Sequence, residues 1–171
     1  MRKLFIVVLQ IAVAQLCIGQ NDLACRSAFV LKVAVSNDNV YVDSVAVSPY
    51  VLKGSTLQIY PGEKIFLEME VDSGKVKSVK TVKQNQNPDK TMEISFKQNI
   101  EGKENKGMML NIEKNPFKEK LKYKVAMYLA QYKKWAPTNV MPVMPGTGSY
   151  ETWPDAIVTI ALYGWTLEAA K

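Results

Sequence analysis

The chain has 171 residues, with 22 Lys and Arg against 16 Asp and Glu, for a formal net charge of +6. That length suits one domain with a sizeable core, and the charge is too dilute for a dedicated nucleic-acid binder, so no nucleic-acid partner is expected. The chain contains no histidine, which removes Ser-His-Asp and Cys-His hydrolysis and every His-ligated metal site.

Two cations, Arg2 and Lys3, precede an apolar run from Leu4 to about Ala14, and small residues follow near Gly19. This is the layout of a secretory signal peptide over residues 1–20, with cleavage after Gly19 or Gln20, and its apolar run is too short to span a bilayer. Lipoprotein processing at Cys17 is disfavoured by the large Leu16 before it. Loss of residues 1–20 leaves residues 21–171 as a single domain of net charge +4, with no transmembrane segment. Cys25 then stands alone, and the ten Asn residues include no N-x-S/T acceptor. Both features suit a bacterial periplasmic or secreted protein. Cys25 is expected to be an inert thiol near a loose terminus, with nothing beside it to activate it.

From there period-two patterning dominates. AFVLKVAVS (28–36) and weaker runs near 40–47 and 56–60 come first, with a bulge or break expected at Asp43-Ser44, where the apolar parity slips between Val42 and Val45. In KIFLEMEVD, Ile65, Leu67, Met69 and Val71 point one way, while Lys64, Glu68 and Glu70 face solvent. A weaker strand follows near 76–83, then TMEISFK with Met92, Ile94 and Phe96 inward, and GMMLNIE with Met108, Leu110 and Ile112 inward. KLKYKVAMYL sets Leu121, Tyr123, Val125, Met127 and Leu129 against Lys120, Lys122 and Lys124, and IVTIALYGWTL (157–167) closes the set. A helix would spread these apolar residues around its surface, whereas a strand puts them on one face. Turn residues separate the runs at Asn37-Asp38-Asn39, Pro61-Gly62, Ser73-Gly74, Asn87-Pro88-Asp89, Gly102 to Gly107 and Asn115-Pro116. About nine short strands without a helix predict an all-β, antiparallel β-sandwich.

From residue 54 onward the order of features resembles an immunoglobulin-like domain. TLQIYPGEKIFLEMEVD looks like a first strand, a Pro-Gly-Glu turn and a second strand, and Tyr123 in KLKYKV sits where the penultimate strand of such domains often carries a Tyr. The resemblance covers roughly residues 54–167 and lacks the cysteine pair of antibody domains. It implies that the lysine ladders 75/77/80/83 and 118/120/122/124 lie on neighbouring strands of one sheet and merge into a basic surface. That surface could meet an anionic partner or serve as a solvated face whose lysines block edge pairing.

The longest turn is residues 131–155, ending in VMPVMPGTGSYETWPDA. It gathers Tyr132, Lys133, Lys134, Trp135, Tyr150 and Trp153, and its prolines stiffen it. Its aromatics either plug the open end of the sandwich or stand up as a binding surface. Trp153, between Thr152 and Pro154, suits the plug, and Trp135, after two lysines, suits an exposed contact. Met141 and Met144 could be soft copper ligands, but beside prolines they suit a packed loop, and no metal or other cofactor is expected. Glu151 and Asp155 are the only acids flanking an aromatic in an irregular stretch, so they carry the alternative of a carboxylate-dependent hydrolase. The favoured reading is an exported, non-catalytic protein for recognition or envelope structure. It would contact an envelope protein or glycan through 131–155 and the adjoining lysine face, with Tyr132, Lys133, Lys134, Trp135, Tyr150 and Trp153 as contacts. A carbohydrate-binding module using the same Trp and Tyr residues is the nearest alternative.

Overall fold

The computed structural model describes residues 20–169, so the signal peptide expected over residues 1–20 lies, up to residue 19, outside the described residues. The chain forms strands β1 (Cys25–Arg26), β2 (Phe29–Ser36), β3 (Asn39–Val45), β4 (Ser48–Pro49), β5 (Val51–Leu52), β6 (Thr56–Ile59) and β7 (Lys64–Asp72). It continues as β8 (Lys75–Val82), β9 (Thr91–Glu101), β10 (Glu104–Ile112), β11 (Lys120–Leu129), β12 (Lys134–Thr138), β13 (Ser149–Trp153) and β14 (Ile157–Glu168). Two five-stranded antiparallel sheets, ordered β13-β10-β9-β7-β8 and β12-β11-β14-β6-β5, pack as a β-sandwich. All nine strands expected from the patterning are present. The five further segments are the two-residue β1, β4 and β5, together with β12 and β13.

The alternation in the sequence becomes the core directly. Ile65, Leu67, Met69, Met92, Ile94, Phe96, Met108, Leu110 and Ile112 from the first sheet meet Leu57, Ile59, Leu121, Val125, Ile160 and Leu162 from the second, all at most 2% exposed. Tyr123 shares this face and stacks on Trp165, ring centroids 5.3 Å apart. Val71 departs from the expected phase. The register slips between Glu70 and Val71, and its side chain reaches the surface.

A second, smaller core lies outside the main one. The β2–β3 hairpin lays Leu31, Val33 and Val45 over Ala130, Ala156 and Val158 at one end of the second sheet. It reaches the first sheet through Gln98, whose amide accepts from the Ala34 N–H (2.9 Å) and donates to the Ala34 carbonyl (2.7 Å). The register break in this hairpin lies between Ala34 and Ser36, not at Asp43-Ser44. The parity slip at Val42 has another cause: Val40 and Val42 are exposed, so β3 needs no extra residue.

Three further expectations are corrected. The terminus is not loose: Leu23 donates to Thr81 O and Lys83 to Asn21 O, so residues 21–23 seal the edge of β8, and Cys25 and Arg26 pair with β4. Cys25 itself is exposed. Glu68 points away from the core as expected, yet it is buried (3% exposed), because Asn87, Lys80 and Lys90 close over it. The two lysine ladders do not share a sheet, since β8 lies in the first and β11 in the second.

Candidate functional site

Residues 131–155 are not one irregular loop. After a tight turn in which Lys133 adopts a positive φ of 50° and its N–H bonds Leu129 O (2.8 Å), β12 returns alongside β11 as the edge of the second sheet. The chain then crosses to the other sheet, pinned by buried Val143, whose backbone exchanges bonds with Leu121. It ends in β13, the edge of the first sheet beside β10. Gly148 permits this last approach: a Cβ there would lie 2.5 Å from Glu113 O. The segment therefore closes the flank of the sandwich, while the β2–β3 hairpin covers one end.

The six expected contact residues separate accordingly. Tyr132 and Trp135 are 56% and 48% exposed. The Lys134 ammonium lies 5.4 Å from the Tyr132 ring centre, and Trp135 meets Tyr128 edge-to-face at 5.6 Å. Alternate residues of β12 face opposite ways, so Lys134, opposite core-facing Leu129, lies on the other face of the sheet from Trp135, which lies opposite Tyr128. Tyr150 is 71% exposed but sits on β13, on the outer face of the opposite sheet. Trp153 is half-buried against the main core and donates to Thr138 Oγ1 (3.2 Å), so it ties β13 to β12. Met141 and Met144 are exposed, and Val140 and Val143 do the packing. Glu151 accepts the Met141 N–H (2.8 Å), a loop-holding bond, and Asp155 is exposed in the turn before β14.

Strand register extends the Trp135–Tyr128 pair over the outer face of the second sheet. Trp135 lies opposite Tyr128, Pro137 opposite Ala126, Ala126 opposite Ala161, and Lys124 opposite Tyr163. Side chains that share a register position share a face. The face thus carries Trp135 and Tyr128 at one end, a floor of small residues, and Tyr163 with Lys124 at the other. Gly164, at φ 65°, breaks the β14 register here and lets the Lys124 stem lie across the strand, 3.6 Å from where a Cβ would stand. Tyr128 and Tyr163 escaped the sequence reading. Their signal was present, because the lysine phase of β11 ends in Ala126 and Tyr128.

No family model, curated protein or solved structure matches this chain.

Electrostatics distinguishes the two outer faces. On the first sheet Lys77 pairs with Asp72, Lys80 with Asp22 and Glu68, and Lys90 with Glu70 and Glu68. Burial would raise the Glu68 carboxyl, but the Asn87 hydrogen bond and the charges of Lys80 and Lys90 outweigh it and hold the group below the usual carboxylate range. On the second sheet Lys120 and Lys122 share Glu168, whose carboxyl is held low chiefly by the Lys122 hydrogen bond. Lys124, Lys133 and Lys134 have no ion pair among the described residues. A small pocket beside Trp153, lined by Asn99, Lys106 and Thr152, offers no such free charge, because Lys106 is committed to Glu104 and Glu101. Among the described residues no group of three His, Cys, Asp or Glu side chains could hold a metal ion. The chemistry on offer is stacking on exposed ring faces beside unneutralised ammonium groups.

Proposed function

We propose that this is an exported, non-catalytic recognition protein of a bacterial envelope, which holds an envelope protein or glycan through β12, the β11–β12 turn and the lysine-bearing outer face of β11. The observation that carries the reading is the exposed Trp135, packed on Tyr128 and continuous in register with Lys124 on the outer face of β11. An exposed Trp is costly to keep without a contact to make, and aromatic anchors dominate recognition energetics. Export rests on the Arg2-Lys3 and apolar layout at the N-terminus. The non-catalytic assignment rests on the absence of histidine and on the use of Glu151 as a loop anchor.

Immobilised full-length protein, incubated with native envelope extract, tests the proposal. Trp135→Ala is expected to leave stability within about 0.5 kcal/mol, as surface changes do, and to abolish retention of the partner. Trp153→Ala is expected to cost about 3 kcal/mol by loss of packing while the folded fraction keeps its partner. Retention that survives Trp135→Ala would overturn the assignment of the surface.

A further inference from the structure

We propose that β3 is the docking edge for a second copy of this chain, the two β3 strands pairing antiparallel about a twofold axis through Tyr41. The site lies on the β2–β3 hairpin and does not depend on the function proposed above.

The first argument is backbone phase. Ala34 lies opposite Val40 in the hairpin, yet its N–H and C=O both bond the Gln98 side chain, on the side away from β3. In an antiparallel ladder both residues of such a pair aim their backbone groups away from each other. Val40 therefore aims its N–H and C=O away from β2, and by the same alternation so do Val42 and Ser44. The Ser44 N–H agrees with this phase, because the Asp43 carboxylate accepts it at 2.8 Å. That leaves Val40 and Val42 as consecutive outward positions on an edge where, among the described residues, β3 pairs with β2 alone.

The second is that this edge is unguarded. Sheet edges are usually covered, or carry Lys or Pro, because open backbone invites another strand. Residues 21–23 cover β8, β12 carries Lys134 and Pro137, and Glu151 of β13 holds the Met141 N–H. β3 reads NVYVDSV, with neither Lys nor Pro, and Val40 and Val42 are exposed on its outer face. On the inner face Asp43 is exposed as well, so β3 overhangs the body of the molecule and leaves room beside it.

The third is self-complementarity, which selects a second copy over an unrelated strand. The Asp43 cap ends the open edge at Ser44, and the Asn37-Asp38 turn ends it before Asn39. Antiparallel pairing of residues 39–43 with themselves sets Val40 against Val42, Tyr41 against Tyr41, and the Asn39 amide against the Asp43 carboxylate. Each Val40–Val42 pair exchanges two backbone hydrogen bonds, and no like charges meet. An unrelated strand would need a donor opposite Asp43 and β-branched residues on both sides of its centre, and β3 carries both. A twofold pair uses up the β3 edge of both copies, so assembly through this edge stops at the dimer.

Sedimentation velocity of the protein in reductant, which keeps exposed Cys25 from linking copies, tests the proposal. A pairing this short is weak, so a reversible monomer–dimer equilibrium is expected between about 10 µM and about 1 mM. Val42→Pro removes an outward N–H that β2 does not use, and should weaken the dimer at least about tenfold. Val40→Lys places a charge on the edge and should do the same. Val30→Lys, exposed on the same outer face but on β2, should leave the dimer intact. Hydrogen exchange reads the bonds themselves: the Val40 and Val42 amides should gain protection as concentration rises, while those of Tyr41 and Asp43, already bonded to β2, should not change. A monomer throughout that range, or a dimer that survives both Val42→Pro and Val40→Lys, would overturn the proposal. Equal loss on Val30→Lys would overturn it too, since the valine face and not the strand edge would then be the contact.

Discussion

Arg26 is the only arginine after Arg2 in a chain whose other cations are lysines, and among the described residues it is the one cation that is fully buried, 3% exposed. Its guanidinium uses all five N–H groups. Nε and Nη2 bond Glu63, Nη1 bonds Ser48 Oγ and Pro49 O, and Nη2 also reaches Gln58 O at 2.6 Å. Tyr50 and Tyr60 flank it at 4.4 and 5.0 Å. A planar fork is the only side chain that meets this set, since an ammonium carries three donors and cannot stack between rings. Arg26→Lys is therefore expected to cost about 3 kcal/mol despite conserving charge, because acceptors stay buried without partners. Urea denaturation measures this, and a loss below about 0.5 kcal/mol, the size of a surface effect, would show that the bonds are dispensable. In the sequence Arg26 looks like part of a polar leader, because its partners lie 22 to 37 residues away. Tyr123 was legible for the opposite reason: its environment is fixed by its own strand's alternation. It shows the limit of that legibility too. Its hydroxyl is buried beside Ser149 of β13, and burial pushes its ionisation far up. No pattern in the sequence announces such a group.

At the scale of elements, strands whose two faces differ were readable, and the edge strands β12 and β13 were not. β12 contains Pro137, which argues against a central strand but is tolerated at an edge, and its preceding turn uses Lys133 where Gly or Asn would have signalled a hairpin. β13 alternates Ser149, Glu151 and Trp153 inward, too polar a set for a core strand, because it covers only the flank of the sandwich. The β2–β3 hairpin was visible as two strands, but its docking was not, since that depends on Gln98 taking the place of a neighbouring strand for Ala34. Gln98→Leu removes both bonds and also the donor to Asn105 Oδ1. The expected loss is about 2 kcal/mol, the cost of leaving a buried amide unpaired. Hydrogen exchange gives the sharper readout: amides of residues 29–45 should exchange faster while those of β7, β9 and β10 keep their protection. Uniform acceleration along the chain would mean that the hairpin is not a separable unit.

Across the whole molecule, 22 cations and 16 anions are distributed unequally. The outer face of the first sheet holds a closed network around Glu68, which joins the β8 lysine Lys80, the 84–90 turn through Asn87 and Lys90, and, through Lys80, Asp22 of the N-terminal segment. On the outer face of the second, Lys120 and Lys122 share Glu168 and Lys124 makes no ion pair among the described residues. The network around Glu68 predicts how stability depends on acid. The Glu68 carboxyl titrates below its unfolded value when folded, so the folded state favours its ionised form. The stability this provides is fully present above the unfolded pKa and is lost as pH falls through the folded one. Glu68→Gln keeps the shape and removes the charge. It should cost about 2 kcal/mol at neutral pH, the worth of charge-assisted bonds in a buried setting, and progressively less as acid protonates Glu68 in the unmodified protein. The two denaturation curves should converge as pH falls through the folded-state value, which lies below the ordinary carboxylate range. Because the network lies on the sheet opposite Trp135, ligand binding by the folded variant at neutral pH should be unchanged. A constant gap between the curves at every pH would show that Glu68 acts by packing and not by charge. Weakened binding with the fold intact would show that the two faces are not independent.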